Sequence, residues 1–139
     1  MTISETYAFL KQPRKIEAEI HKKMLKRDAL RSCLLPSGIR YDLDKVLSSP
    51  ADQMSEIEAE VIDLSREIAE LKAQKAKTIV QVSEAITRLD SDLEQEVLLA
   101  YYLAGMTLKM IGQKKHYSPR GVGKIKQRAV LHLSKKVFP

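Results

Sequence analysis

The sequence predicts an all-α protein, in which an N-terminal helical hairpin or coiled-coil arm is followed by a helix-turn-helix domain. Tryptophan is absent, phenylalanine occurs twice, and glycine and proline occur five times each, a composition that suits helices better than sheets. Apolar residues recur at steps of three and four, and short polar segments separate these periodic stretches. We expect the arm to occupy residues 1–89 and the second domain residues 90–139.

The first helix is predicted over residues 14 to about 33. Pro13 can stand at its first position, where a missing N–H costs nothing. The segment Leu34 to Gly38 should end it, because proline and glycine both stop helices. Residues 36–50 are then expected to form a connecting loop. Its predicted anchors are Tyr41, Val46 and Leu47.

A long second helix is predicted over residues 51–89. Ser49 is its expected N-cap, Pro50 stands in its first turn, and Asp52 lies near its positive end. Apolar residues along it alternate steps of three and four, which is a heptad seam. Lys75 and Thr78 interrupt this seam, so we expect weaker packing there. The seam consists of Met54, Ile57, Val61, Leu64, Ile68, Leu71, Val82, Ala85 and Leu89.

The relative lengths of these two helices favour self-association of the arm. A helix over residues 51–89 spans roughly 58 Å, whereas one over residues 14–33 spans about 30 Å. The first helix would then cover about half of the second as an antiparallel hairpin. The rest of the seam needs the C-terminal domain or another subunit as a partner. We favour a homo-oligomer, with a dimer as the first choice, and a monomeric hairpin is the alternative.

Three short helices are predicted after residue 90. Ser91 and Glu94 form a capping-box pattern at the start of the first, and Thr107 can cap the second. Ser118 caps the third, and Pro119 opens it. Helical spacing predicts which residues face the core of this domain. They are Leu93, Val97, Leu98, Tyr101, Tyr102, Leu108, Ile111, Val122, Ile125, Ala129 and Leu133.

Basic residues are concentrated at the C-terminal end of a chain whose net charge is +6. Residues 107–139 hold nine Lys or Arg and no Asp or Glu, whereas residues 40–104 hold seven basic and fourteen acidic residues. A wholly basic segment with this helix pattern indicates a phosphate-binding surface. A solvated basic tail is the alternative.

Several other classes of protein find little support in the sequence. No stretch is apolar enough to span a membrane, and the N-terminus lacks the order of a signal peptide, so we expect a cytoplasmic protein. A single cysteine, Cys33, fits a reducing compartment. The scattered histidines His21, His116 and His132 make no zinc pattern with it. We expect no metal, no cofactor and no catalytic site.

The run from Glu96 to Leu133 resembles the C-terminal region-four domain of primary sigma factors. Its Thr-Leu-x-x-Ile-Gly segment over residues 107–112, the serine before the last helix, and the later Ile and Ala-x-x-x-Leu positions all fall in register. The resemblance implies that the last helix enters the major groove of double-stranded DNA and that its N-terminal residues face the base edges.

A looser pattern extends toward the N-terminus. The stretch Tyr-Asp-x-Asp-Lys-Val-x-x-Ser-Pro over residues 41–50 precedes the long helix. This arrangement resembles small sigma-region-four-like regulators of phages and prophages of Gram-positive bacteria, related to the ArpU and RinA late-gene activators. The resemblance implies a regulator of phage or prophage genes that acts with the host RNA polymerase. The resemblance also implies a location at the bacterial nucleoid. We expect the other DNA-binding domains of a complete sigma factor to be absent from these 139 residues.

The sigma resemblance assigns roles to individual residues. Its base-facing positions fall on Pro119, Arg120, Gly123 and Lys124, and among these only Arg120 and Lys124 can donate to guanine. Gln127 is a weaker base-reading candidate. The other polar and basic residues of this segment are expected to contact phosphates, which position the protein without specifying a sequence. They are Lys109, Lys114, Lys115, Ser118, Lys126 and Arg128.

The same segment departs from the sigma pattern in three respects. Gly121 and Gly123 stand inside the predicted helix, each at a cost of about 1 kcal/mol relative to alanine. Either the backbone approaches DNA closely there or the helix begins irregularly. Lys115 replaces an apolar core residue, so a loose helix end is expected. Lys109 and Met110 replace the usual acids, so the family's DNA target does not carry over.

Three functions are compatible with these features. The leading one is a non-enzymatic, sequence-specific transcriptional regulator. A small terminase-like subunit for phage DNA packaging also joins a helix-turn-helix to oligomerising helices, and ring-sized oligomers would favour it over a dimeric regulator. An adaptor that binds polymerase or a sigma factor would bind DNA weakly. Steep salt dependence of DNA binding separates the first two from the adaptor.

Overall fold

The computed structural model describes residues 2–34 and 50–137, and over these ranges the chain is all-α, as predicted. The predicted loop anchors Tyr41, Val46 and Leu47 and the predicted cap Ser49 lie outside the described residues. None of the helices in the described ranges is long and apolar enough to cross a membrane. The helices are α1 (Ile3–Ser32), α2 (Pro50–Ile86), α3 (Asp92–Leu98), α4 (Leu108–Lys115) and α5 (Pro119–His132), and α3 and α5 continue into π-helical turns over Leu99–Leu103 and Leu133–Val137.

Helix α1 begins eleven residues before its predicted start, at Ile3 instead of residue 14. Thr2 caps it: the Thr2 hydroxyl accepts from the Glu5 amide at 3.1 Å and donates to the Glu5 carboxylate at 3.1 Å. The placement of Pro13 at the first helical position was therefore wrong, because Pro13 lies inside the helix and is buried. The Thr-x-x-Glu pattern was the signal that marked the true start.

Helix α2 confirms the predicted long helix to within a few residues at its C-terminal end. Its seam is the inward face: Leu64 and Ile68 are 5 % and 3 % exposed, and Val82 is fully buried. Thr78, which interrupts the apolar repeat, is also buried at 7 % exposed. The stripe therefore stays turned inward through the interruption, and weaker packing at that point stays a prediction.

The chain divides into two compact units, one formed by residues 16–74 and the other by residues 1–15 with residues 75–139. This division differs from the predicted one at residue 89, because the ends of α1 and α2 pack with the C-terminal helices. In the first unit the two helices run antiparallel. Lys23 Nζ lies 2.9 Å from Glu67 Oε2, and Lys26 Nζ lies 3.2 Å from Glu60 Oε1. The hydrogen bond to Glu67 raises the pKa of Lys23.

The second unit contains two apolar clusters. The smaller cluster joins α3, α4 and α5 through Val97, Ile111, Val122 and Ile125. The larger cluster brings the ends of α1 and α2 onto α3 and α5. Its buried members are Leu10, Val82, Ala85, Ile86, Leu89, Leu98, Tyr102, Ala129, Val130 and Leu133. The predicted core residues of α5 are thus confirmed, and α1 contributes a residue that the predicted helix did not include.

The longer α1 removes the length argument for self-association. Its 30 residues span about 45 Å, against about 55 Å for the 37 residues of α2. In one unit Leu10 of α1 packs in the same cluster as Val82 of α2, and in the other Lys23 pairs with Glu67. The estimate that α1 covers half of α2 was wrong, because it started α1 at residue 14. A homo-oligomer stays a prediction, but the helix lengths no longer support it.

Candidate nucleic-acid interface

Helices α4 and α5 are joined by the three residues His116, Tyr117 and Ser118. His116 adopts the left-handed conformation with φ 64°, and its amide donates to the Gly112 carbonyl. The Tyr117 amide donates to the same carbonyl at 2.9 Å. A β-carbon on Gly112 would lie 2.4 Å from the Tyr117 carbonyl oxygen, closer than real contacts allow. The sharp turn between the two helices therefore depends on glycine at position 112.

The start of α5 is regular and capped as predicted. Ser118 has extended backbone angles, its hydroxyl accepts from the Gly121 amide at 3.0 Å, and Pro119 follows in the first turn. Gly121 consequently lies in this capped first turn, which decides against the irregular helix start considered above. Gly123 is half-buried, and a β-carbon there would meet only the Leu108 side chain at 3.7 Å.

The predicted base-reading residues share one face of α5. Arg120, Lys124 and Gln127 are all exposed, and at 3.6 residues per turn they point within roughly 60° of one another. Arg128 is exposed beside them. The opposite face carries the buried residues of the helix, such as Ile125 at 5 % exposed. The face therefore presents two cations and one amide, with Arg128 beside it, and residues 107–139 contain no carboxylate side chain.

The lysines of α4 that were predicted to contact phosphates differ in whether they already have an ion-pair partner in the part of the chain that the structure describes. Lys109 and Lys114 are exposed. Lys115 forms an ion pair with Glu96 of α3, which accounts for a lysine at a position where an apolar residue was expected. Its helix end is therefore anchored rather than loose, and Lys114 is the stronger candidate for a phosphate contact. Ser118 is exposed while it caps α5.

Lys126 does not belong to the exposed face. It points about 130° away from the centre of that face, is half-buried, and places its ammonium 4.3 Å from the centroid of the Tyr101 ring. Its predicted phosphate contact stays a prediction, but Lys126 packs on an aromatic ring and does not share the exposed surface of Lys109 and Lys114.

A second cation, Arg14, also packs on the Tyr101 ring, and no sequence pattern had indicated it. The guanidinium of Arg14 lies 4.5 Å from the Tyr101 ring centroid and donates a hydrogen bond to the Tyr101 carbonyl. The Tyr102 ring stands edge-on to Tyr101, with 4.9 Å between the centroids. Arg14 and Tyr101 are separated by 87 positions, and no local pattern marks such a pair.

Two polar contacts attach the C-terminal end of α5 to the beginning of α3. The Glu94 amide donates to Ser91, as predicted, at 3.3 Å. The Glu94 carboxylate, expected over the cap, instead lies 2.8 Å from His132 Nδ1. Lys136 pairs with Asp90. These contacts attach the C-terminal end of α5 to α3, and Ser118 caps the N-terminal end of α5.

Comparison of the chain with family models, with curated proteins and with solved structures gives no significant match. The arrangement of α4 and α5 and the chemistry of the exposed face are therefore the observations on which a function must rest. Within the described ranges, no group of three or more His, Cys, Asp or Glu side chains is placed to hold a metal ion.

Proposed function

We propose that this protein is a sequence-specific DNA-binding transcriptional regulator of phage or prophage genes, which acts with the host RNA polymerase in the bacterial cytoplasm. In this proposal α5 is the recognition helix in the major groove, and α4 lies across the DNA backbone. The protein acts by binding and has no catalytic role. The phage context and the polymerase rest on the resemblance of residues 41–50 and 96–133 to the regulators named above.

The exposed face of α5 is the observation that carries the proposal. Arg120 and Lys124 stand near the start of the helix, where a recognition helix meets base edges. Guanine presents two acceptors in the major groove, and an arginine can satisfy both with its planar fork. We assign Arg120 and Lys124 to sequence readout, with Gln127 as a further amide that could pair with adenine.

The surroundings of this face supply binding without sequence information. Lys109, Lys114 and Arg128 are exposed cations that flank it. Contacts of this kind set the register of the protein on the duplex and make affinity strongly salt-dependent. The capped turn at Gly112 and Ser118 supports the proposal in a second way, since it holds α5 firmly against α4 and leaves its polar face exposed.

Selection from random duplex DNA tests the proposal. We expect the wild-type protein to enrich one sequence, and Arg120→Ala to lose preference at one base pair by about 1–3 kcal/mol. Lys114→Ala should weaken binding to all sequences alike, with unchanged preference. Arg88→Ala is the matched control, because Arg88 is an exposed arginine outside α4 and α5. If Arg120→Ala shows the same sequence preference as wild type, the assignment of Arg120 to base reading is contradicted. If the wild-type protein enriches no sequence, the proposed sequence-specific DNA binding is contradicted.

The oligomeric mass should be measured on the same preparation. A dimer should select an inverted repeat, because the symmetry of the site follows that of the protein. A monomer should select a single half-site.

A further inference from the structure

We propose that Arg14 of α1 and Lys126 of α5 together form a DNA phosphate contact away from the exposed face of α5, built around the ring of Tyr101. This inference rests on the proposed DNA binding and adds the N-terminal helix to the interface. It gives α1 a direct part in binding, beyond its part in packing.

The geometry brings two positive charges to one aromatic ring. The Arg14 guanidinium lies 4.5 Å from the Tyr101 centroid and the Lys126 ammonium 4.3 Å from it. The two cations are therefore at most about 9 Å apart, the sum of those distances. That is within the screening length of about 10 Å at 0.1 M salt, so the two cations repel one another and jointly attract an anion.

The ring holds both cations in place before any ligand arrives. Each cation is attracted to the π-face, and Arg14 also donates to the Tyr101 carbonyl. This bond uses one of the five N–H donors of the guanidinium. Arg14 is exposed and Lys126 half-buried, so an anion can approach the pair from solvent. Prior ordering lowers the entropy that these long side chains lose on binding.

The neighbouring sequence of α1 extends the positive surface. Residues 6–16 contain Lys11, Arg14 and Lys15 and no acidic residue. Lys11 and Lys15 are both exposed, and Lys11 lies 5.7 Å from the Tyr7 ring centroid. Because Lys126 points about 130° away from the centre of the exposed face, it does not reach the base edges that this face would meet. A phosphate held here would therefore belong to the DNA backbone, and the contact carries no sequence information.

Salt dependence of binding to a mixed-sequence duplex tests this contact. Each phosphate neutralised on duplex DNA contributes about −0.9 to the slope of log affinity against log salt concentration. We expect Arg14→Ala to make the slope shallower by about that amount and to reduce affinity on the order of tenfold near ~0.1 M salt. Arg14→Lys should keep the slope, because it keeps the charge.

Arg31→Ala is the matched control, since Arg31 is an exposed arginine at the other end of the same helix. Its slope should equal that of the wild type. Thermal unfolding of each variant checks that α1 remains folded. An Arg14→Ala slope equal to that of the wild type overturns the contact, and so does an equal loss in Arg31→Ala. If the wild-type protein selects a sequence through Arg120 but Arg14→Ala has the wild-type salt slope, the phosphate contact at Arg14 and Lys126 fails and the proposed function stands. If the wild-type protein binds no duplex, the phosphate contact and the proposed function both fail.

Discussion

Replacing Gly112 by alanine perturbs the turn between α4 and α5 at a point where the backbone leaves no room for a side chain. The new β-carbon would stand 2.4 Å from the Tyr117 carbonyl oxygen, whereas real contacts of this kind are essentially never shorter than 3.0 Å. The turn must therefore open by about 0.6 Å, the difference between these distances. The atom in the way is backbone and cannot rotate aside as a side chain would.

Two opposing effects determine how much Gly112→Ala changes the free energy of unfolding. Overpacking of this kind costs about 1–3 kcal/mol. Alanine is a better helix former than glycine by about 1 kcal/mol, which offsets part of that loss. We expect Gly112→Ala to lower the free energy of unfolding by up to about 2 kcal/mol, and the melting temperature by up to several degrees for a unit of this size.

Gly123→Ala is the matched control for this prediction. Gly123 is also helical, but its β-carbon would meet the Leu108 side chain at an ordinary 3.7 Å. Helix propensity then dominates, and the variant should be as stable as wild type or more stable by up to ~1 kcal/mol. Urea unfolding followed by far-UV circular dichroism measures both. If Gly112→Ala is as stable as Gly123→Ala, the close approach at Gly112 does not exist.

Two further predictions concern backbone strain and a buried hydroxyl. His116→Gly should stabilise the protein by about 0.5–1 kcal/mol in the same urea assay, because a left-handed residue after a helix favours glycine; a loss of stability would show that the His116 side chain matters more than its φ angle. Tyr102→Phe should stabilise the protein by about 1 kcal/mol, because the Tyr102 hydroxyl is buried without a partner among the described residues. Burial raises the pKa of Tyr102 to about 12, against about 10 in an unfolded chain, so this residue's contribution to wild-type stability is full below pH 10 and is lost as the pH rises toward 12. Thermal unfolding across that range should show a smaller loss in Tyr102→Phe, and equal losses would contradict the assignment.

Local signals in the sequence located the C-terminal helices accurately. The hydroxyls of Ser91, Thr107 and Ser118 were predicted as caps, and each accepts the amide hydrogen bond that a cap requires. The core positions of α5 followed from helical spacing alone. Such features depend on residues three or four positions apart, so a single sequence contains the information that determines them.

Contacts between distant parts of the chain were not predictable in the same way. Glu94 was expected to complete its own cap, but its carboxylate pairs with His132, 38 positions away. Lys126 was predicted to be a phosphate contact, but no pattern indicated that it packs on the Tyr101 ring or that Arg14 packs on the same ring. These interactions depend on how helices pack, which spacing along one helix does not specify. The predicted start of α1 was wrong for another reason. The Thr2 cap is a local signal, but the prediction relied on Pro13 as the first residue of the helix.

Methylation of guanine N7 in a selected DNA site tests whether α5 lies in the major groove. N7 is an acceptor in the major groove and is the atom that Arg120 should contact. We expect the wild-type protein to protect one guanine N7 from dimethyl sulfate, Arg120→Ala to lose this protection, and Arg88→Ala to retain it. Protection that survives in Arg120→Ala, or that appears only at minor-groove atoms, would contradict the placement of α5 in the major groove.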